Sequence, residues 1–370
     1  MILTTIIIFI IILGLLVFVH ELGHFVMAKR AGMQVEEFGF GFPPRLFGIK
    51  RGETIYSINW IPIGGFVKIA GEDGENAENP RSFSNKGFWP RFGVLIAGVT
   101  MNVIFAWLIL SLAVAIGFPT VIGEGQEIPG SARIKDPSIA FDQVAENSPA
   151  QAAGIRLGDK IISINGEPTE SIEEVQSLTR NNAGRETKYV VQRGDDVMEK
   201  NVTPRANPPE GEGPLGVSLV TIATVSYPWY EAPVRGLTET YNILSATIGA
   251  FAHILGQWFS GESVGAQISG PVGIAVLTRD VAELGFIYLL RFTALLSINL
   301  AVINAVPFPA LDGGRILFLI IEKLRRKKLP EAAEQWANAI GFMLLIGLMV
   351  LVTVLDFGRF NIVDKVKNIF

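Results

Sequence analysis

Uncharged apolar runs recur along the chain at lengths that suit a lipid bilayer. The first runs from Ile2 to Val19 and is interrupted only by Thr4, Thr5 and Gly14. A helix rising about 1.5 Å per residue needs about 20 apolar residues to cross hydrocarbon about 30 Å thick. The pattern predicts four transmembrane helices, at residues 1–28, 91–118, 285–322 and 336–356. The third is broken at Asn304–Gly314, where Pro307, Pro309, Gly313 and Gly314 cannot continue a regular helix. Non-helical backbone at membrane depth is tolerated where it is buried in protein or lines a cavity. The first run has no basic leader and is longer than a signal-peptide core, so it reads as a retained span.

Between the spans the pattern changes. Residues 29–90 alternate apolar and polar positions in part, as in Thr54-Ile55-Tyr56-Ser57-Ile58-Asn59-Trp60 followed by Ile61-Pro62-Ile63-Gly64-Gly65-Phe66-Val67-Lys68. That reads as strands with turns. Gly39, Gly41, Pro43 and Pro44 mark a second turn-rich piece, and Glu72 to Glu78 an acidic exposed loop. Residues 119–222 are of soluble composition. They read as strand, short helix, turn and strand from Val144 to Gly166, with a helix at Ile172–Thr179, a strand at Thr187–Gln192 and a Pro/Gly/Glu linker at Pro204–Pro214. The series resembles a PDZ domain with its peptide-binding strand, Leu215-Gly216-Val217-Ser218-Leu219, moved to the C-terminal end. Residues 223–284 are expected to form an amphipathic surface helix (Gly236 to Phe259) and a connector. A basic loop at 323–335 and a tail at 357–370 complete the expected fold: a polytopic α-helical membrane protein with a membrane-associated β-hairpin or sheet region and one PDZ-like α+β domain.

Composition narrows the function. Apolar residues make up 49 % of the chain, charged residues 18 %, and mean hydropathy is +0.39. The net charge of -4 gives no support for nucleic-acid binding. With no cysteine there are neither disulfides nor thiolate ligands, so a transition-metal site must use histidine and carboxylates. Basic residues at the span ends set the orientation. Lys29, Arg30, Lys86, Arg91, Lys323, Arg325, Arg326, Lys327 and Lys328 place their segments in the cytoplasm. Both termini and the PDZ-like domain then lie outside, with Arg359, Lys365 and Lys367 in the tail as a weak counter-signal.

Against this frame, His20-Glu21-Leu22-Gly23-His24 stands at the end of the first apolar run. Residues i and i+4 share a helix face, so His20 and His24 can address one ion, and Glu21 can take a proton from a water beside it. His20 lies roughly 27 Å along the helix from Ile2, which puts the ion inside the membrane near its cytoplasmic side. A catalytic zinc needs three protein ligands and one open position. The third ligand is an Asp, a Glu or His253. Asp312 is favoured because it sits inside an apolar segment at the matching depth, its alternative role being the cap of the helix that starts at the Gly313 turn.

HELGH, Asn304-x-x-Pro307-x-Pro309-x-Leu311-Asp312-Gly313, Pro62-Ile63-Gly64-Gly65-Phe66-Val67-Lys68 and Ser269-Gly270-Pro271-Val272-Gly273-Ile274 resemble, in order, the site-2 protease family of intramembrane metalloproteases. Within that family the closest likeness is to the bacterial PDZ-bearing branch. Ala97-Gly98-Val99-Thr100-Met101-Asn102 resembles its second-span motif, and the chain has room for one PDZ module where well-known members carry two. The resemblance implies a zinc-dependent endopeptidase of the bacterial cytoplasmic membrane, with Zn2+ on His20, His24 and Asp312 and Glu21 as general base. It also implies substrate contacts at Asn304, Pro307 and Pro309 and along the strand edge Gly64, Gly65, Phe66 and Val67. Expected partners are the lipid bilayer and single-span membrane proteins already cut once outside, such as an anti-sigma factor or a remnant signal peptide. The PDZ-like module is expected to filter by ectodomain size or to bind a C-terminal peptide. Two other readings compete: a membrane-anchored zinc peptidase working in water, and a catalytically silent PDZ-bearing scaffold.

Overall fold

The first apolar run forms one helix, α1 (Ile2–Arg30). From Ile2 to Val19 it is apolar all round, which suits lipid on every side that protein does not cover. A computed structural model describes residues 2–72, 79–123, 131–194, 196–261 and 269–359. After α1 come β1 (Val35–Arg51), β2 (Thr54–Ile69), α2 (Phe88–Ile116), β3 (Phe118–Ile122), β4 (Arg133–Val144), α3 (Pro149–Ala152), β5 (Lys160–Ile164) and β6 (Glu167–Pro168). There follow α4 (Ile172–Asn181), β7 (Thr187–Arg193), β8 (Asp196–Val202), β9 (Val217–Ser226), α5 (Ala232–Phe259), α6 (Pro271–Leu284), α7 (Phe286–Ala305), α8 (Asp312–Arg325) and α9 (Glu331–Arg359). Among the described residues, α1, α2, α7 and α9 are long and apolar enough to cross a membrane. Only 17–28 % of their most apolar windows is buried within the protein. The remaining apolar surface faces outward, as lipid contact requires.

The chain divides into two compact units. The first comprises Met1–Leu110, Leu237–Ala282 and Tyr288–Phe370. Here α1 and α2 cross in close contact: a Cβ at Gly23 would run into the Ala97 carbonyl and come 3.0 Å from Met101 Cβ. One cluster packs Ala28, Met33, Val35, Ile69, Phe83, Val94, Leu95 and Leu319. A second joins α2 to α7 through Ala106, Ile109, Leu110, Ala294 and Ile298.

The β1–β2 pair is a folded-over sheet rather than a simple hairpin. Residues Glu37 to Phe40 of β1 pair with Ile55 to Ile58 on one side and with Gly65 to Lys68 on the other. The segment from Gly65 to Ile69 is therefore the edge next to α1. A Cβ at Gly14 would meet the Pro62 carbonyl at 3.3 Å, and one at Gly64 would meet Val17 at 3.1 Å. The sheet thus reaches past His20 towards the middle of the first span before turning back at Gly64, whose φ of +83° favours glycine. Phe42, Phe47, Ile58 and Trp60 are exposed on this sheet. So broad an apolar surface needs a non-aqueous partner. The turn at the other end is pinned outside the span, where Arg81 and Lys29 hold the Glu53 carboxylate down to about 2.

Gly39, Gly41, Pro43 and Pro44 do not end the strand as the sequence suggests. They lie inside β1, where Phe42 pairs with Ile61 and Arg45 with Asn59, leaving the prolines in a register shift. Proline is tolerated at such a bulge because no ladder hydrogen bond is asked of it. The stretch after α5, read only as a connector, contains α6. Its start is fixed by Asp356 of α9, which is 1 % exposed and accepts a 2.8 Å hydrogen bond from the Gly273 N–H. An anion at a helix N-terminus complements the free N–H groups there. Side chains at Gly270 or Gly273 would crowd that carboxylate, at 2.8 and 3.0 Å from its oxygens. The acidic loop read at Glu72–Glu78 falls, beyond Glu72, outside the described residues, as do residues 360–370 with Lys365 and Lys367.

The second unit comprises Ser111–Gly236 and Glu283–Ile287. It is an antiparallel sheet in the order β3-β9-β4-β5-β7-β8, with β6 paired to β5. Ile139, Phe141, Ile161, Ile164, Val175, Tyr189, Val191 and Leu215 form its core. A capping box between Ser171 and Glu174 starts α4. Asp159, buried at the turn before β5, receives both Nε and Nη2 of Arg193 at 2.7 Å. Along β9, β4 pairs with the whole strand, whereas β3 covers only Thr221 to Val225. Among the described residues, no strand pairs with Val217–Val220 on that side. A groove of about 520 Å³ lies there, between Val175, Thr179 and Arg180 of α4 and Leu215, Val217 and Leu219.

Candidate metal centre

His20 and His24 stand one turn apart on α1 and are 6 % and 7 % exposed. Their Nε2 atoms lie 3.1 Å from each other. The Nδ1–H of His24 donates to the Val94 carbonyl of α2 at 2.8 Å. A carbonyl can only accept, so the neutral His24 ring has its lone pair on Nε2.

Asp312 arrives from the broken third segment. The break is held by close backbone packing. A Cβ at Gly313 would strike the carbonyls of Ala305 and Val306, and one at Gly314 the carbonyl of Phe308. Ala310, at φ +75°, gives its N–H to Asn338 Oδ1 of α9 at 3.0 Å. This fold-back presents Asp312 as the first residue of α8. The residue before it, Leu311, is the cap and offers no side-chain bond, so the Asp312 carboxylate is not spent on capping. Its Oδ2 lies 3.0 Å from His20 Nε2 and 3.4 Å from His24 Nε2. That oxygen is buried and accepts no hydrogen bond. Three potential ligand atoms from two distant stretches therefore face one point. Among the described residues, His20, His24 and Asp312 form the group of potential metal ligands.

The opposite wall is Gly98 of α2. A Cβ there would press on His24 Nε2 and lie 2.7 Å from His20 Nε2. Glu21 sits beside the cluster, and its Oε2 accepts the Val67 N–H of the sheet edge at 3.2 Å. Gly64 and Gly65 are buried against α1, and Phe66 and Val67 are half-buried. Asn304 occupies the last turn of α7 and is half-buried; Pro307 is exposed and Pro309 half-buried in the fold-back. His253 is exposed on α5 and does not join the cluster. From sequence, Gly98 and Asn102 stand only within the second-span motif, and neither they nor Val94, all from α2, were given a role at the site. The available signal was the polar Asn102 in an apolar span, a costly placement that calls for a partner.

Residues 8–348 match the profile described as "Peptidase family M50". The chain belongs to this family of site-2 proteases. A relative from Clostridium perfringens that carries a zinc-metalloprotease name is 38 % identical, over 92 % of this chain and 95 % of its own length. Zinc metalloprotease RasP of Geobacillus kaustophilus is 33 % identical over 97 % of this chain and 99 % of its own. Regulator of sigma-W protease RasP of Bacillus subtilis is 31 % identical over the same shares. With four apolar helices, this M50 chain is a multi-pass membrane protein.

Zinc can be tested against the donors. Zn–N and Zn–O bonds of about 2.0–2.1 Å at tetrahedral angles set neighbouring ligand atoms about 3.3 Å apart. The three separations here, 3.0, 3.1 and 3.4 Å, match that edge length. Two imidazoles and one carboxylate suit zinc, and a buried carboxylate oxygen set against two imidazole nitrogens offers a cation a converging donor set. The M50 chain therefore carries a donor set that fits Zn2+.

Proposed function

We propose that this chain is an intramembrane zinc metalloprotease that hydrolyses peptide bonds within or near the transmembrane segment of single-span proteins. The observation that carries this reading is the convergence of Asp312 of α8 on His20 and His24, beside Glu21, on a helix long and apolar enough to cross a membrane. His20, His24 and Asp312 hold the zinc. When bound, zinc supplies a Lewis acid for the scissile carbonyl and makes water easier to deprotonate. Glu21 takes the proton from that water at a carboxylate oxygen and delivers it to the departing amide nitrogen.

A transmembrane helix hides its carbonyls in its own hydrogen bonds, so a substrate must unwind first. Gly64 to Val67 form a sheet edge, and an extended segment can pair with such an edge by strand addition. That edge already meets Glu21 through the Val67 N–H, so a paired segment would run past the general base. Asn304, Pro307 and Pro309 stand on the stretch leading into Asp312 and border the same path; the Asn304 amide anchors the unwound backbone.

The basic residues near the span ends support a metal centre near the cytoplasmic face and both termini outside, in a bacterial cytoplasmic membrane. The seven-stranded unit then lies outside as a PDZ-like module. Its Val217–Val220 edge beside α4, unpaired on one side among the described residues, suits an added peptide strand, with a new C-terminus as the ligand. Cleavage after a first ectodomain cut follows from this arrangement, and a membrane-tethered anti-sigma factor or remnant signal peptide fits as substrate. The aqueous-peptidase reading is disfavoured by the burial of the donors between apolar helices, and the scaffold reading by the maintained metal geometry.

The test is cleavage of a single-span substrate lacking its ectodomain, reconstituted with the enzyme in liposomes. Zinc-dependent cleavage is expected there, with none of soluble peptides of the same sequence. Each glycine replacing alanine in the substrate helix lowers the cost of unwinding by about 1 kcal/mol, about fivefold in rate. Equal cleavage of soluble and membrane-embedded substrates would refute the intramembrane reading.

A further inference from the structure

Each imidazole has a second nitrogen that must be satisfied away from the metal point. His24 uses the Val94 carbonyl. His20 Nδ1 faces the side-chain amide of Asn102, 3.3 Å from its nitrogen. Asn102 is wholly buried on α2, and its Oδ1 has no hydrogen-bond partner. Its backbone is fixed from α7, where Ser297 Oγ donates to the Asn102 carbonyl at 2.8 Å.

The two orientations of this amide are chemically different. With the NH2 group towards His20, Nδ1 must accept and the ring proton sits on Nε2. That proton would point at Asp312 Oδ2 and His24 Nε2, where the metal belongs. With Oδ1 towards His20, Nδ1 carries the proton and Nε2 presents its lone pair to the metal. The amide has nearly the same shape both ways, and the hydrogen-bond network decides between them. A metal-bound histidine characteristically gives its remote N–H to an oxygen, which fixes tautomer and ring orientation.

We infer that Asn102 is a positioning residue of the metal centre, its Oδ1 accepting from His20 Nδ1–H and holding Nε2 in its ligating form. Together with the Val94 carbonyl it makes α2 the supporting shell for both histidines. The helix that supplies no ligand then sets the tautomer of the two that α1 supplies.

The inference rests on His20, His24 and Asp312 binding zinc, and its test separates the two. Zinc affinity is measured by chelator competition on the full-length protein in detergent, for wild type, Asn102→Leu and Asn102→Asp. Leucine keeps the volume without an acceptor, and a loss of affinity of about 10- to 100-fold is expected. Aspartate keeps an acceptor at the same reach, and affinity within a few-fold of wild type is expected. Cobalt-substituted wild type and Asn102→Asp should share a visible spectrum that Asn102→Leu alters. Wild-type affinity in Asn102→Leu, or equal loss in both variants, would overturn the inference. If Asn102→Leu does not fold, nitrogen-15 imidazole spectra of the zinc-loaded wild type decide. His20 protonated at Nδ1 supports the assignment, and protonation at Nε2 overturns it. A wild type that binds no zinc would instead overturn the metal-site reading itself.

Discussion

Gly98→Ala is expected to empty the metal centre and abolish proteolysis. The added methyl carbon would press on His24 Nε2 and come 2.7 Å from His20 Nε2. Neither ring can retreat, because His24 is tied to Val94 and α1 meets α2 at Gly23 with no room for a side chain. The methyl group would therefore lie against the ligand atoms themselves, while the helix gains a better former than glycine. Bound zinc should fall to background in metal analysis of the purified protein. Loss of several kcal/mol of Lewis-acid stabilisation corresponds to about 10³-fold or more in rate. Gly93→Ala is the control on the same helix. Its Cβ would meet only Met27 Cε, at 3.3 Å, the end of a flexible side chain. Zinc content and activity there should stay near wild type.

Glu21→Gln should separate chemistry from metal binding. The glutamine oxygen can still accept the Val67 N–H that Glu21 accepts now at 3.2 Å, so the sheet edge keeps its place. Neither histidine nor Asp312 loses a partner. What disappears is the group that takes the proton from water and returns it to the leaving amine. General acid–base catalysis contributes about 10²–10⁴-fold, and a drop in kcat of that order is expected. KM and zinc content should be little changed. Single-turnover cleavage in liposomes, read beside metal content, checks this. A Glu21→Gln enzyme that cleaves as fast as wild type would remove Glu21 from the mechanism.

Much of this was legible in the chain because the apolar runs and the chemistry are tied together. The i, i+4 spacing of His20 and His24 dictates a shared helix face, and the prolines and glycines around Asp312 dictate a break. Length and hydropathy were enough to find, among the described residues, four helices long and apolar enough to cross a membrane. The sheet was harder. Pro43 and Pro44 signal a turn locally, yet the ladder on either side carries the strand through them as a bulge. That outcome is tertiary and leaves no local mark. The same holds for α6, whose start depends on Asp356, more than 80 residues later in the chain. On α2 the sequence shows an apolar helix with one asparagine. The i, i+4, i+8 spacing of Val94, Gly98 and Asn102 gives them one face, but does not reveal that this face meets the histidines, because that follows from how α1 and α2 cross.

The most direct measurement is zinc stoichiometry and affinity of wild type beside Asp312→Asn, with x-ray absorption at the zinc edge. Asparagine keeps the size and removes the charge of the third donor. One zinc per wild-type chain is expected, bound by two imidazoles and a carboxylate oxygen at about 2.0–2.1 Å, and zinc retention should fall sharply in the variant. Undiminished zinc in Asp312→Asn, or a wild-type spectrum without two imidazoles, would contradict the site described here.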